Sequence, residues 1–86
     1  MTKPWYLYIV KCRDDSLYTG ITTDIMRRIA QHNSGKGAKY TRSRRPVTLV
    51  FSKEYKGRSE ASKAEYYTKR LSRKEKIKMI DQKGKS

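Results

Sequence analysis

The sequence predicts an α/β domain of the α+β type, a three-stranded antiparallel sheet flanked by helices in the order β-β-α-β-α-α. Three observations carry that expectation. Two runs rich in aromatic and β-branched residues flank the turn-forming Arg13-Asp14-Asp15-Ser16, and a third such run follows Pro46. Between and after them, apolar residues recur at helical rather than alternating spacing. With 86 residues the chain has room for one modest core, so a single domain over 1–86 is expected. Its core should cover about residues 5–72, with a basic helical tail over 73–86.

Residues 5–12 and 17–21 read as the two strands of a β-hairpin. Thr22, Thr23 and Asp24 then offer caps, and Ile25, Met26, Ile29 and Ala30 recur along a short basic helix until Asn33-Ser34-Gly35 stops it. Residues 35–45 mix Gly35, Gly37 and Ser43 with Lys36, Lys39, Arg42, Arg44 and Arg45 and show no apolar period, which reads as a mobile basic loop. Residues 47–51 form the third strand, which continues to about Tyr55, and Pro46 stands where a missing N–H is tolerable. Gly57 ends it. Ser59, Glu60 and Ala61 open a second helix, with Ala61, Ala64, Thr68 and Leu71 along one face, to about Leu71. Ser72 caps a last short helix carrying Ile77 and Ile80, ahead of a frayed end at residues 83–86. A short hairpin cannot bury both its faces, so the third strand should join it and the helices should cover the sheet.

The net charge of +14, from 22 Lys and Arg against eight Asp and Glu, makes a strong positive field that concentrates polyanions. Nucleic acid is the expected partner; a solvated basic surface is the plain alternative. No stretch has the apolar length to span a membrane, and the basic residues are spread along the chain rather than gathered on an amphipathic anchor, so no membrane partner is expected. Cys12 is the one cysteine, which excludes an intrachain disulfide and a thiolate zinc site and fits a reducing, cytoplasmic setting. The N-terminus lacks the pattern of a signal peptide.

Few carboxylates are free for chemistry. Asp14 and Asp15 are turn residues, Asp24 is a cap, Glu60 lies in a first helical turn and Asp81 is near the end. Glu54, Glu65 and Glu75 remain. On a helical wheel at about 100° per residue, Glu65 borders the small, apolar face of the second helix. Arg28 and His32, spaced i and i+4, are neighbours on one flank of the first helix's apolar strip. On the first strand Tyr6, Tyr8 and Val10 share a face, and Tyr18 joins them only if paired residue numbers sum to an even value, as with Val10 opposite Tyr18. Tyrosines of good β propensity that merely roof the core are the other reading.

Tyr6-Leu7-Tyr8, then Tyr18-Thr19-Gly20, then Arg28 and His32, and finally Glu65 on a later helix resemble the GIY-YIG endonuclease superfamily. The likeness is greatest to its small stand-alone bacterial group and extends from about Trp5 to about Leu71. Tyr6 and Leu7 stand where the name-giving pattern has Gly and Ile, and no asparagine follows Asn33, although some members use one late in the domain.

The resemblance implies a metal-dependent endonuclease that hydrolyses DNA phosphodiester bonds. It makes Tyr18 the general base or water-positioning phenol, Tyr8 its partner tyrosine and Arg28 the clamp on the scissile phosphate. Glu65 becomes the sole protein ligand of a divalent cation, Mg2+ or Mn2+. His32 falls where the family places a tyrosine or histidine, for a proton shuttle or a structural role. Gly20 lets the strand end approach the helix closely. Family nucleases usually carry separate recognition domains. Low sequence specificity is therefore expected, with Lys36, Lys39, Arg42, Arg44, Arg45 and Lys69 gripping DNA phosphates and branched or nicked DNA preferred by shape. DNA repair or recombination, with other repair proteins as partners, is the implied setting. A non-catalytic nucleic-acid-binding module or adaptor with the same fold is the competing expectation.

Overall fold

Alternation of side chains along one strand divides the core in two. In the computed structural model, which describes residues 3–84, β1 (Trp5–Lys11) is that strand. It lies between β2 (Leu17–Thr22) and β3 (Thr48–Tyr55) and is antiparallel to both, giving the sheet order β2-β1-β3. Tyr8 and Val10 face one way and cluster with Cys12 and Val47, packed against Tyr18 and Ile29. Leu7 and Ile9 face the other way with Phe51. A strand covered on both faces is apolar without interruption, and residues 7–10 are all buried.

The hairpin register pairs Val10 with Tyr18 and Tyr8 with Gly20, so the tyrosines share a face. Against β3 the pairing shifts between Ile9 and Val10, where a bulge lets Val50 and Phe51 both join the second cluster.

The helices form two layers. On the Tyr8 side lie α1 (Ile25–Asn33), whose Ile29 packs on the first cluster, and α2 (Lys39–Arg42) beside it. On the other side α3 (Arg58–Lys69) brings Ala64 and α4 (Arg73–Gly84) brings Met79 and Ile80 onto the second cluster. Asp24 caps α1 by accepting from the Arg27 N–H at 3.1 Å. Ser72 and Glu75 cap α4 reciprocally, Glu75 N–H to Ser72 Oγ at 3.2 Å and Ser72 N–H to Glu75 Oε1 at 3.0 Å.

The fold is the expected one, with four local differences. Residues 35–45, expected as a mobile loop, contain the one-turn α2 and bury Thr41 completely. Their anchors are polar, so no apolar period announced them. The buried face of α1 is not the apolar strip. Met26 is 80% exposed and His32 is 0% exposed, while Arg28 is half-buried. That face is rotated by about 80° toward Arg28 and His32, because Tyr8 meets both and Thr41 meets His32, which satisfies their polar groups. The second helix starts at Arg58 after a Gly57 cap rather than at Ser59, and ends at Lys69. The end expected to fray at residues 83–86 stays helical to Gly84; Lys85 and Ser86 lie outside the described residues.

Candidate active site

Asp24 fixes the entry of α1, and the helical repeat then sets Arg28 and His32 one turn apart on the side facing β1. Both reach the same atom. Arg28 Nε donates to Tyr8 Oη at 3.4 Å, and His32 Nε2 lies 2.9 Å from that oxygen. The other ring nitrogen, Nδ1, is 2.8 Å from Thr41 Oγ1, and the Thr41 hydroxyl lies 3.0 Å from the Ala38 carbonyl. The bonding pattern assigns the hydrogens. A carbonyl only accepts, so Thr41 gives it its one proton and must accept from His32 Nδ1–H. Nε2 is then a lone pair facing the Tyr8 O–H. The result is a continuous chain, Arg28 to Tyr8 to His32 to Thr41 to Ala38, with every donor pointing the same way.

Two glycines make room for it. A Cβ on Gly20 would come within 2.5 Å of Tyr8 Oη, and one on Gly37 would overlap the His32 ring. The close approach at Gly20 is thus to the phenol of Tyr8, not to the helix as expected. Arg28 is further held by NH1 donating to Gln31 Oε1 at 3.0 Å.

Tyr18 completes a cage of rings. Its centroid lies 6.5 Å from that of Tyr8 and 5.4 Å from that of His32, edge-on to the latter. Its outer side stacks on Tyr40 at 5.8 Å, and the Arg44 guanidinium sits 4.1 Å over the Tyr40 ring.

Burial raises the Tyr8 pKa; Arg28 opposes this, while Tyr18 and Glu65 add to it. Burial, with Arg28 beside it, lowers that of His32. The resting pair is therefore a neutral phenol bonded to a neutral imidazole. Glu65 belongs to the opposite helix layer, yet it is close enough for its charge to act on Tyr8. Its Oε2 is 3.4 Å from Lys69 Nζ, a partly exposed pair of small energetic weight.

The structure thus joins Tyr8, Arg28 and His32 by hydrogen bonds, brings Tyr18 alongside by ring contact, and relates Glu65 to them through charge alone. Of the six residues expected to grip nucleic acid, all but the half-buried Arg44 are exposed, and Lys36, Lys39 and Arg42 carry no ion pair among the described residues. Arg44 is tied to Asp14 Oδ2 at 3.1 Å and to the Tyr40 carbonyl at 2.8 Å, Arg45 to the carbonyls of Arg42 and Asn33, and Lys69 to Glu65. Sequence reasoning missed Thr41, Tyr40, Gln31 and Gly37. The signal available was weak: a tyrosine and a threonine without partners in an otherwise basic segment, and a glycine where no turn demanded one.

Among the described residues no group of three or more His, Cys, Asp or Glu converges as a metal cage. The one carboxylate that could serve is Glu65, whose charge reaches Tyr8. This fits a hard divalent cation that keeps most of its water and shares phosphate oxygens with its substrate.

Two tyrosines share one face of the hairpin, and an arginine and a histidine of the following helix are bonded to one of them, with the charge of a later glutamate in reach. The model of the GIY-YIG catalytic domain matches residues 4–78, and the chain belongs to that nuclease superfamily. Within it the chain is similar to the UPF0213 proteins. The UPF0213 protein SH2523 of Staphylococcus haemolyticus is 57% identical over 77 residues, which are 90% of this chain and 94% of that protein. The solution NMR structure of the UPF0213 protein BH0048 from Bacillus halodurans is 49% identical, with a TM-score of 0.62 over 94% of this chain and 86% of that one. The solution NMR structure of EF2693 from E. faecalis is 41% identical, with a TM-score of 0.67 over 99% and 91% of the two chains. No helix among the described residues is long and apolar enough to cross a membrane.

Proposed function

We propose that this chain is a divalent-cation-dependent endonuclease that hydrolyses DNA phosphodiester bonds with low sequence specificity. The observation that carries the reading is the aligned hydrogen-bond chain through Tyr8, because it gives a phenol oxygen both a proton acceptor and a cationic neighbour. The Tyr8 O–H already points at His32 Nε2 and one lone pair accepts from Arg28 Nε, so the other lone pair can take a proton from water. As the water oxygen bonds to phosphorus, its proton passes to Tyr8 Oη and the Tyr8 proton passes to His32 Nε2. The P–O bond to the leaving deoxyribose oxygen breaks, and that oxygen is protonated from solvent. His32 is held in the accepting tautomer by Thr41, and the resulting imidazolium keeps its Nδ1–H bond.

Arg28 favours negative charge on the Tyr8 oxygen and has further N–H groups for the scissile phosphate. Tyr18, beside both rings, orients the attacking water or the phosphate, and Tyr8 takes the basic role that the family resemblance laid on Tyr18. Glu65 would hold Mg2+ or Mn2+, which when bound supplies charge neutralisation at the phosphate. Exposed Lys36, Lys39 and Arg42, with the field of the whole chain, grip the backbone without reading bases. Branched or nicked DNA selected by shape, a cytoplasmic repair or recombination setting, and other repair proteins as partners belong to the same reading.

Nicking of supercoiled or branched DNA, with and without Mg2+ or Mn2+, tests it. Wild type should cut only with metal, and Tyr8→Phe, Arg28→Ala and Glu65→Ala should each lose at least about 100-fold, the lower end of general acid–base contributions. Full activity of Glu65→Ala would remove the metal site. DNA binding with no cleavage under any metal would return the chain to a binding module.

A further inference from the structure

A cleft of about 510 Å³ is lined by Arg13, Asn33, Arg42, Ser43, Arg45 and Pro46, two of which directly follow the site residues His32 and Thr41. Three guanidinium groups border one cavity and no carboxylate lines it. Among the described residues no ion pair reaches Arg13, Arg42 or Arg45. The nearest acid in sequence, Asp14, is committed to Arg44 and Ser16. Three like charges around one space repel, and an oxyanion that accepts from their N–H groups turns that cost into charge-assisted hydrogen bonds.

The cleft is built rather than incidental. Arg45 Nε donates to the Arg42 carbonyl at 3.0 Å and its NH1 to the Asn33 carbonyl at 3.4 Å. Its guanidinium lies against Gly35, at φ +85°, where a Cβ would come within 3.0 Å of it. The Arg13 N–H donates to the Arg44 carbonyl at 2.9 Å, joining the hairpin turn to the wall. The Asn33 amide is closed onto the backbone of Val47, at 2.7 and 3.2 Å, and does not compete for a ligand.

Resting on the nuclease reading above, we propose that this cleft holds a second backbone phosphate of the bound DNA strand, distinct from the phosphate cut at Tyr8, Tyr18 and Arg28. The cleft and the site are parts of the same two segments. Asn33 follows His32 on α1, and Arg42 follows Thr41 on α2. A strand held at Arg28 therefore presents its flanking phosphates to the cleft at high effective concentration, which a free anion does not enjoy. Arg13, which lines the cleft from the hairpin turn, enters the DNA-binding set although its sequence position did not suggest it.

The test is the salt dependence of DNA binding in EDTA, where no cleavage occurs. Wild type is compared with the double variant Arg13→Gln, Arg42→Gln, whose side chains are exposed and whose folding is checked by thermal melting. Loss of one phosphate contact should lower the slope of log K against log salt by about 1 and weaken binding about 10-fold at ~50 mM salt. Replacement of both by lysine should restore most of the slope. An unchanged slope overturns the proposal. A second arm titrates inorganic phosphate alone and follows backbone amide shifts at Asn33, Arg42 and Ser43. Shifts there with no change in the DNA slope make the cleft a free-anion site and also overturn it. If no metal supports cleavage yet the slope falls in the double variant, the nuclease reading fails while the phosphate site stands.

Discussion

At the scale of single residues, the site depends on groups with little chemistry of their own. Gly20 contributes only the absence of a Cβ, and that absence is where the Tyr8 phenol lies. Gly20→Ala should push Tyr8 Oη off His32 and lower cleavage at least about 10-fold, while overpacking costs about 1–3 kcal/mol in a denaturant melt. Retained nicking at wild-type rate would show that the Tyr8–His32 bond is dispensable. His32 supplies a pH signature. Its folded pKa is lowered by burial, so below the ordinary value of about 6.5 the unfolded chain binds the extra proton and the native one resists it. Stability should therefore fall as pH drops through and below about 6.5, and His32→Gln should flatten that part of the curve. Urea melts between pH 7.5 and 5 check the sign; a wild type that gains stability toward pH 5 contradicts it.

At the scale of elements, α2 is a single turn whose importance exceeds its size. Its Thr41 hydroxyl accepts from His32 Nδ1–H and thereby leaves Nε2 free to accept from Tyr8. Thr41→Val keeps the shape but removes the acceptor. Leaving a buried N–H unpaired should cost about 1–3 kcal/mol and release the ring to its other tautomer. Nitrogen chemical shifts of the imidazole should report the change, and cleavage should fall with them; an unaltered tautomer would mean that Thr41 does not set it. The two helices on the other layer show a different economy. α3 meets the sheet through small residues, with Ala61 fully buried and Ala64 on the second cluster, which brings its backbone close to β1 and β2. That closeness lets the charge of Glu65, at the border of the same face, reach Tyr8.

At the scale of the whole molecule, the +14 charge acts in opposite senses on folding and on binding. Compacting so lopsided a chain works against its own repulsion, while the same field draws DNA. Raising salt from about 10 mM to about 300 mM, across which the Debye length shrinks from ~30 Å to well under 10 Å, should raise the melting temperature and weaken DNA binding steeply. Melting and binding measured on one salt series check both arms. Parallel loss of stability and affinity would point to a folded state held by ion pairs, which the three partly exposed bridges among the described residues do not suggest.

How much of this was legible beforehand follows from where the information is stored. The strands, the two longer helices and the α4 cap at Ser72 were readable because each rests on local spacing: a period of two, a period of 3.6 and a capping pair. Tyr8, Tyr18, Arg28, His32 and Glu65 were readable as candidates because their spacing resembles a family pattern. The buried face of α1 was not, since apolar period pointed to Met26 and the structure buries His32 instead. A polar side chain goes inside only when partners await it, and those partners, Tyr8 and Thr41, come from other elements. The same reason hid α2, the Tyr40 stack, and the Arg13–Arg42–Arg45 cleft. By itself the sequence determined the strands, the longer helices and the charge, and it reduced the hairpin register to a choice of parity that the structure decided. Only the tertiary structure decided which polar groups meet, because a hydrogen bond between distant segments leaves no period in either one.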